Sequence, residues 1–377
     1  MEKLNEKEWR EFDFAEIFDI KKGFYNKKPG DSGNGTIPFL GATDSNNGVT
    51  RFLTLDEIAN STKTGVLPNS PLNKKLFPGH AIAVTNNGSV GHAYYQATPF
   101  TCSHDINPLY LRDHEMSRDE ADFLIKAIEE QGKVFQYARK WRPIRMVKSK
   151  LMLPVTDSCE PDYAYMAEYA QQMRDTVLAK YRAYVEERIA ELGEAVEIPA
   201  LVEKEWKEFR IGELFEVSRP KARNKDDYDL GDIPFVASGA MNNGVMKCCK
   251  TREGEQLDAS NCITVSPVDG SSFYQPMDFL GRGGAGSSIL MLRNDGLNLL
   301  CGEFMARMIQ QTCSKYSYGH MGNKDSIKRE RVMLPVDDDG KPDYAYMEQY
   351  VKNVMLRKYE QYLAFIDKQN AAEGVTV

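Results

Sequence analysis

The stretches Leu153–Met166, LPVTDSCEPDYAYM, and Leu334–Met347, LPVDDDGKPDYAYM, carry one hexapeptide at one distance behind the same Leu-Pro-Val. Leu-Pro-Val reads as a strand, and the residues behind the hexapeptide's proline read as the start of a long helix. Pro161 and Pro342 suit a helix start, where a missing N–H costs nothing, and Asp162 and Asp343 favour a first turn. A strand end and a helix start that recur together predict a duplicated domain.

The duplication extends over almost the whole chain. Trp9-Arg10-Glu11-Phe12 with Glu16-Ile17-Phe18 matches Trp206-Lys207-Glu208-Phe209 with Glu213-Leu214-Phe215. Ile37-Pro38-Phe39 returns as Ile233-Pro234-Phe235, and Asn46-Asn47-Gly48-Val49 as Asn242-Asn243-Gly244-Val245. Ala81–Val84 corresponds to Cys262–Val265, and Lys150–Pro154 to Arg331–Pro335. Each copy opens with short apolar runs punctuated by Gly, Asn and Pro, which predict strands and loops. A helix near 120–130 or 302–311, a basic segment, the Leu-Pro-Val strand and the long helix follow. The expected divisions are 1–160, 161–196, 197–341, 342–369 and a tail at 370–377.

The long helices carry apolar residues at spacings of three and four: Met166, Ala170, Met173, Val177, Tyr181, Val185, Ile189 and Leu192, then Met347, Val351, Met355, Tyr359, Tyr362, Leu363 and Ile366. Such a stripe on a helix of about 30 residues fits a coiled-coil seam. It also fits an amphipathic helix lying on its own domain. Two similar helices from two similar domains can bury their stripes on each other, and antiparallel pairing would relate the domains by a pseudo-twofold axis. The expected fold is therefore mixed α/β (α+β): two related domains separated by two long helices in an antiparallel coiled coil.

The 377 residues, 42% hydrophobic and 27% charged, allow two folded domains. The charged N-terminus predicts no signal peptide, and no apolar run is long enough for a membrane span. Seven cysteines without a C-x-x-C point to reduced thiols in the cytoplasm. The net charge of −7 speaks against nucleic acid, but its distribution does not. Residues 131–150 hold seven basic and no acidic side chains, whereas 186–208 hold eight glutamates against three basic residues. Binding follows the local field, although a single basic run can equally be a solvated face.

The paired W-x-E-F…E-(I/L)-F openings, the I-P-F and L-P-V strands and the two long helices together resemble the specificity subunit of type I restriction–modification systems over essentially the full length. That resemblance implies two target-recognition domains held apart by helices, with no catalysis in this chain. It implies double-stranded DNA as ligand and DNA methyltransferase (modification) subunits, two of them, as partners alongside restriction/translocase subunits. S-adenosylmethionine, ATP and Mg would be bound by those partners, and no cofactor or metal by this chain. Similar subunits also serve enzymes in which methylation and cleavage share one partner chain. One departure is that Lys21-Lys22-Gly23 has no glycine counterpart in Val217-Ser218-Arg219-Pro220. The loops also diverge, TNNGSVGHAYYQ (85–96) facing SPVDGSSFYQ (266–275), which predicts a split, asymmetric target.

For phosphate neutralisation the candidates are Lys21, Lys22, Lys27, Lys28, Arg139, Lys140, Arg142 and Arg145 in the first copy. Arg219, Lys221, Arg223, Lys225, Lys315, Lys324 and Lys328 are those in the second. Such contacts give affinity and salt dependence without sequence choice. Base reading needs bidentate edges, which Asn46, Asn47, Asn86, Asn87, Asn242, Asn243 and Arg282 can present from loops. Asn-Gly is also a turn signal that needs no ligand. Gly281–Gly286 fits G-x-G-x-x-G, but the Ser288–Leu292 run after it predicts a strand where a dinucleotide site needs a helix. A duplicated nucleotide- or ligand-binding enzyme using that run is the alternative from another class. Asn107-Pro108-Leu109-Tyr110 lacks the second proline of the amino-methyltransferase motif, and His80, His92 and His104 share no helical face for a metal.

Overall fold

The structure, a computed structural model, describes residues 3–135, 139–284 and 288–372. The chain divides into two compact units, Met1–Tyr181 and Arg182–Val377. In the first, β1 (Trp9–Asp13) pairs antiparallel with β9 (Lys150–Pro154), so the unit's first and last strands are neighbours. A four-stranded antiparallel sheet follows the order β2 (Phe18–Ile20), β8 (Ile106–Leu111), β5 (Ala81–Thr85), β6 (Ala93–Gln96). A smaller sheet sets β3 (Ile37–Leu40) between antiparallel β4 (Val49–Leu53) and parallel β7 (Thr101–Cys102). Its helices are α1 (Phe14–Ile17), α2 (Leu55–Asn60), α3 (Arg118–Gly132), α4 (Pro143–Met146) and α5 (Tyr163–Leu192).

The second unit repeats this order. The ribbon is β10 (Trp206–Arg210) with β18 (Arg331–Pro335), and the larger sheet runs β11 (Glu216–Ser218), β17 (Leu290–Arg293), β14 (Cys262–Val265), β15 (Ser272–Gln275). The smaller sheet sets β12 (Leu230–Val236) between β13 (Val245–Cys249) and β16 (Leu280–Gly281). Helices α6 (Ile211–Leu214), α7 (Leu299–Cys313), α8 (Lys324–Arg329) and α9 (Tyr344–Ala372) complete it. The repeat holds to the register: Trp9 faces Pro154 as Trp206 faces Pro335. The expected 85–96 loop is shorter than its sequence suggests, because Ala93–Gln96 is strand β6, leaving 86–92 as the connection.

The repeated hexapeptide anchors a helix to its unit. Asp162 and Asp343 accept from the N–H of Tyr165 (3.0 Å) and Tyr346 (2.9 Å), which satisfies an orphan donor of each first turn. Each aspartate also binds a lysine from the unit's entrance, Lys7 at 2.9 Å and Lys204 at 2.7 Å. The prolines stand one place before these caps, bridged to Val155 and Val336, so they end the strand segment instead of opening the helix as expected. Met166 and Met347 are fully buried in their cores, where each such side chain contributes roughly 1.5–3 kcal/mol. Tyr169 meets Phe123 edge-on at 5.8 Å, and Phe123 stacks on Trp9 at 6.2 Å; Tyr350, Phe304 and Trp206 do the same at 5.6 and 6.2 Å.

Within the second unit, residues 182–192 of α5 run antiparallel to α9. Arg182 pairs with Asp367, Arg188 with the Tyr359 hydroxyl, and Val196 with Asn353, the partner number falling as the first rises. Val185, Leu356 and Ile366 are buried there. The middle of the α5 stripe departs from the expected seam: Met173 and Val177 are 47% and 60% exposed. That face lines an open groove shared with Trp9 of β1, Met152 of β9 and Phe123 of α3.

Candidate nucleic-acid interface

The β2–β3 connection of the first unit carries four of the candidate lysines. Lys21, Lys22, Lys27 and Lys28 are all exposed, though Lys21 leans on Asp19 at 2.5 Å. Burial of part of the Lys28 side chain draws its pKa below the ordinary value, and neighbouring Arg51 adds to that, with Asp31 opposing. Arg51 itself is held by Asp31 (2.9 Å) and the Pro29 carbonyl (2.5 Å). The structure adds Lys63, which the sequence reading passed over. Its carbonyl accepts from the N–H of Asn26 and Lys27, at 2.9 and 3.1 Å, and its ammonium stands 5.7 Å over the Phe24 ring. A lone lysine in a segment without a counterpart in the second copy was the only sequence signal for it.

The segment Arg139–Arg145 forms a second basic surface. Arg139 lies 5.2 Å over Phe135, which stacks at 4.9 Å on the buried Trp141. Arg142 caps α4 and is exposed; Arg145 donates to the Lys140 carbonyl at 2.9 Å. Among the described residues, Arg139, Arg142 and Arg145 make no ion pair with a carboxylate.

Asn86 ties that surface to the β5–β6 loop, and this corrects its assignment as a base reader. Its side chain is buried, its Nδ2 donates to Asn107 Oδ1 at 3.0 Å, and its carbonyl accepts from the Trp141 N–H at 3.1 Å. Asn107 in turn donates to the Trp141 carbonyl at 3.4 Å. A buried amide must find partners, and this pair supplies them to each other. The methyltransferase-like Asn107–Tyr110 run is thus strand β8 with a structural asparagine. Asn87 is half-buried and its Nδ2 is taken by Asp105 at 2.9 Å.

The Asn-Asn-Gly turns are built alike. Asn46, Asn47, Asn242 and Asn243 have φ of 52°, 52°, 51° and 55°, the left-handed region that Asn and Gly tolerate best. Asn47 and Asn243 each donate to a tyrosine carbonyl, Tyr95 and Tyr274, both at 3.1 Å. These two are turn anchors, while the exposed side chains of Asn46 and Asn242 project outward.

In the second unit the predicted cations separate into two kinds. Arg223 is buried: its guanidinium binds Glu255 (2.9 Å), Asp258 (2.6 Å) and the carbonyls of Gln256 and Gly281, at 2.7 and 3.3 Å. Burial alone would lower its pKa, and those carboxylates more than offset that. Four of its five N–H donors are engaged and the side chain is buried, so it is a structural residue and not a DNA contact. Lys225 pairs with Asp226 at 2.7 Å and Lys315 with Glu330 at 2.5 Å, while Lys324 and Lys328 are half-buried on α8. Arg219 and Lys221 are exposed, and the Ala222–Gly283 bridge sets them beside exposed Arg282. No Cβ fits at Gly283, where it would stand 2.1 Å from the Lys221 carbonyl.

Among the described residues no helix follows the glycine run; Ser288 leads into strand β17, so the dinucleotide arrangement is not built there. The three histidines have separate partners: His80 the Tyr95 hydroxyl, His104 the Tyr25 carbonyl, and His92 the Tyr94 ring. An apolar groove of about 860 Å³ on the first unit is lined by Trp9, Phe123, Tyr169, Met173 and Val177. Its charged rim is self-paired, Arg174 with Asp119 and Asp122, Lys150 with Glu11 and Asp13, Lys126 with Glu130, so no convergent catalytic set faces it. No described helix is long and apolar enough to cross a membrane.

Two copies of one α/β scaffold, each presenting basic loops, define a duplicated DNA-reading module. A family profile described as the type I restriction modification DNA specificity domain matches twice, at residues 6–171 and 203–362, and the chain belongs to that family. It is 25% identical over 281 residues to the type II restriction enzyme specificity subunit S.BcgI of Heyndrickxia coagulans, covering 74% of this chain and 79% of that one. The fold matches the crystal structure of the type I restriction–modification S subunit from M. genitalium, with a TM-score of 0.53, 14% identity, and coverage of 99% and 96% of the two chains. The HsdS subunit of Thermoanaerobacter tengcongensis aligns at 12% identity and a TM-score of 0.29 over 96% and 91%.

Proposed function

We propose that this chain is the non-catalytic reader of a restriction–modification assembly, directing methyltransferase and restriction subunits to a split, asymmetric DNA target. Each unit reads one half, and the long helices set the gap. S-adenosylmethionine, ATP and Mg belong to the partner subunits, of which two are methyltransferase chains. The observation that carries this reading is the pairing of conserved register with unlike loops. Strand order and β1–β9 register recur in the second unit, while the basic loops around Lys27 and Lys63 meet a different set around Lys221 and Arg282. A common frame with different contact surfaces suits two unlike half-targets.

The test is selection from a pool of random duplexes by the chain assembled with its methyltransferase subunit. Two fixed blocks of bases separated by an unspecified gap are expected. Exchanging residues 1–160 for the corresponding unit of a related subunit should change one block and spare the other. A single contiguous or palindromic block would overturn the reading.

A further inference from the structure

The connection between the smaller and larger sheets differs most between the units: Thr54 to His80 in the first, Lys250 to Asn261 in the second. The longer one is clamped by a fully buried lysine. Lys75 Nζ donates to the carbonyls of Ile58 (3.1 Å), Ala59 (2.8 Å) and Ser61 (2.7 Å) and to Asn69 Oδ1 (2.6 Å). These acceptors lie on both sides of residues 62–68, so one ammonium closes the neck of a loop. Asn69 Nδ2 donates to the Ala59 carbonyl at 2.9 Å, and the Tyr25 hydroxyl meets Ser61 Oγ at 2.6 Å. A buried ammonium is costly unless every donor is satisfied, and here that cost secures a loop of fixed shape.

What the clamp presents is apolar. Val66 and Leu67 are 70% and 79% exposed at the tip. Around the tip the charge is positive. The Lys63 carbonyl holds the N–H of Lys27 at 3.1 Å, and Gly65 lies against the Lys27 side chain, a Cβ there standing 3.1 Å from Nζ. Lys28 is exposed one residue further on. Two exposed aliphatic side chains on a rigid stalk among lysines match the chemistry of a duplex: phosphates for the cations, a base stack for the apolar tip.

We infer that Val66 and Leu67 form a wedge that enters the base stack beside phosphates neutralised by Lys27, Lys28 and Lys63. The first unit then reads its half-target partly through the cost of deforming it. This rests on the DNA-reading function proposed above. Pyrimidine–purine steps unstack most easily, so a TA or CA/TG step is expected at one fixed position of that half. The second unit, with its shorter connection, reads without such a wedge.

The test uses the Val66→Ser/Leu67→Ser double variant, whose sites are solvent-exposed and leave the core intact. The probe is the duplex selected by the unaltered protein, end-labelled for energy transfer and carrying 2-aminopurine at the proposed step. The unaltered protein should shorten the end-to-end distance and brighten the 2-aminopurine. The variant should leave the duplex straight and dark. Its affinity should fall roughly ten- to a hundredfold, the worth of one buried leucine, with an unchanged salt slope. Tight binding by the unaltered protein without bending or unstacking would refute the wedge and leave the DNA-reading function standing. Failure of the unaltered protein to select any sequence would remove that function and the wedge together. A variant that bends DNA normally but no longer copurifies with the methyltransferase subunit would make the tip a protein-docking site, and the inference wrong.

Discussion

Replacing Asp162 with alanine should loosen α5 from the first unit and leave the second untouched. Two contacts vanish: the cap on the Tyr165 N–H at 3.0 Å and the ion pair to Lys7 at 2.9 Å. Losing an aspartate cap costs about 1 kcal/mol. Losing a hydrogen bond to a charged partner costs about 1.5–3 kcal/mol, and the Lys7 and Asp162 side chains are only 15% and 17% exposed, so water recovers little of it. The total is roughly 2.5–4 kcal/mol, or about a 60- to 700-fold rise in local opening. Hydrogen–deuterium exchange of peptides covering 163–170 reads that directly, with 344–351 as the internal control. Asp343→Ala should produce the mirror result, because it caps Tyr346 and holds Lys204 with nearly the same distances. Asp162→Asn keeps an oxygen for the cap and should cost about 1.5 kcal/mol. Burial pushes the Asp162 carboxyl up, but Lys7 and the Tyr165 N–H outweigh it and hold the pKa below the usual aspartate value. The contribution is therefore full above the unfolded pKa near 4 and disappears as pH falls through the lower folded one. A change below threefold, or equal changes in both peptides, would refute the anchoring argument.

Replacing Arg139, Lys140, Arg142 and Arg145 with glutamine should weaken binding to all duplexes alike and reduce the magnitude of the salt slope by roughly 0.9 per lost phosphate contact, read by anisotropy across a salt series. Arg223→Gln should leave Glu255 and Asp258 facing each other and cost the second unit about 3–5 kcal/mol in urea unfolding. Arg219→Gln should instead lower DNA affinity without a stability change, and the reverse pattern would restore Arg223 as a contact. Deleting Val177–Lys180 and Met355–Lys358 together shortens each helix by about 6 Å, so methylation mapping should show a gap shorter by about two base pairs. Unchanged spacing with full activity would remove the helices as a ruler.

The duplication, the paired ribbons and the long helices were legible because they rest on local pattern: apolar spacing, Leu-Pro-Val and a capping aspartate, each within a few residues. The sites were less so, because a cation's role depends on what lies beside it in space. Arg223 and Lys221 look alike in sequence, yet Glu255, Asp258 and Gly281, 32 to 58 positions away, enclose only the first. Asn86 and Asn46 both precede an Asn-Gly step, but only Asn86 meets a buried asparagine from β8. Lys75 reads as one more surface lysine until its four oxygen partners, drawn from positions 58 to 69, converge. The α5 stripe was legible in part: Met166, Val185 and Leu192 are buried, but periodicity does not say that the turn of Met173 and Val177 stays exposed.

The β1–β9 and β10–β18 ribbons have a topological consequence. Each unit is entered and left through adjacent strands, and Lys7 or Lys204 buckles the entrance to the exit helix. A unit closed on itself in this way behaves as a cassette. Exchange at the shared seams Trp-x-Glu-Phe and Leu-Pro-Val replaces all the intervening loops at once, while every strand partner that crosses the seam stays in register. New chain ends opened in an exposed loop, with the old ones joined, would likewise cut no sheet. Recombination between related genes can therefore trade one half of a recognition sequence for another in a single step, without asking the core to fold anew.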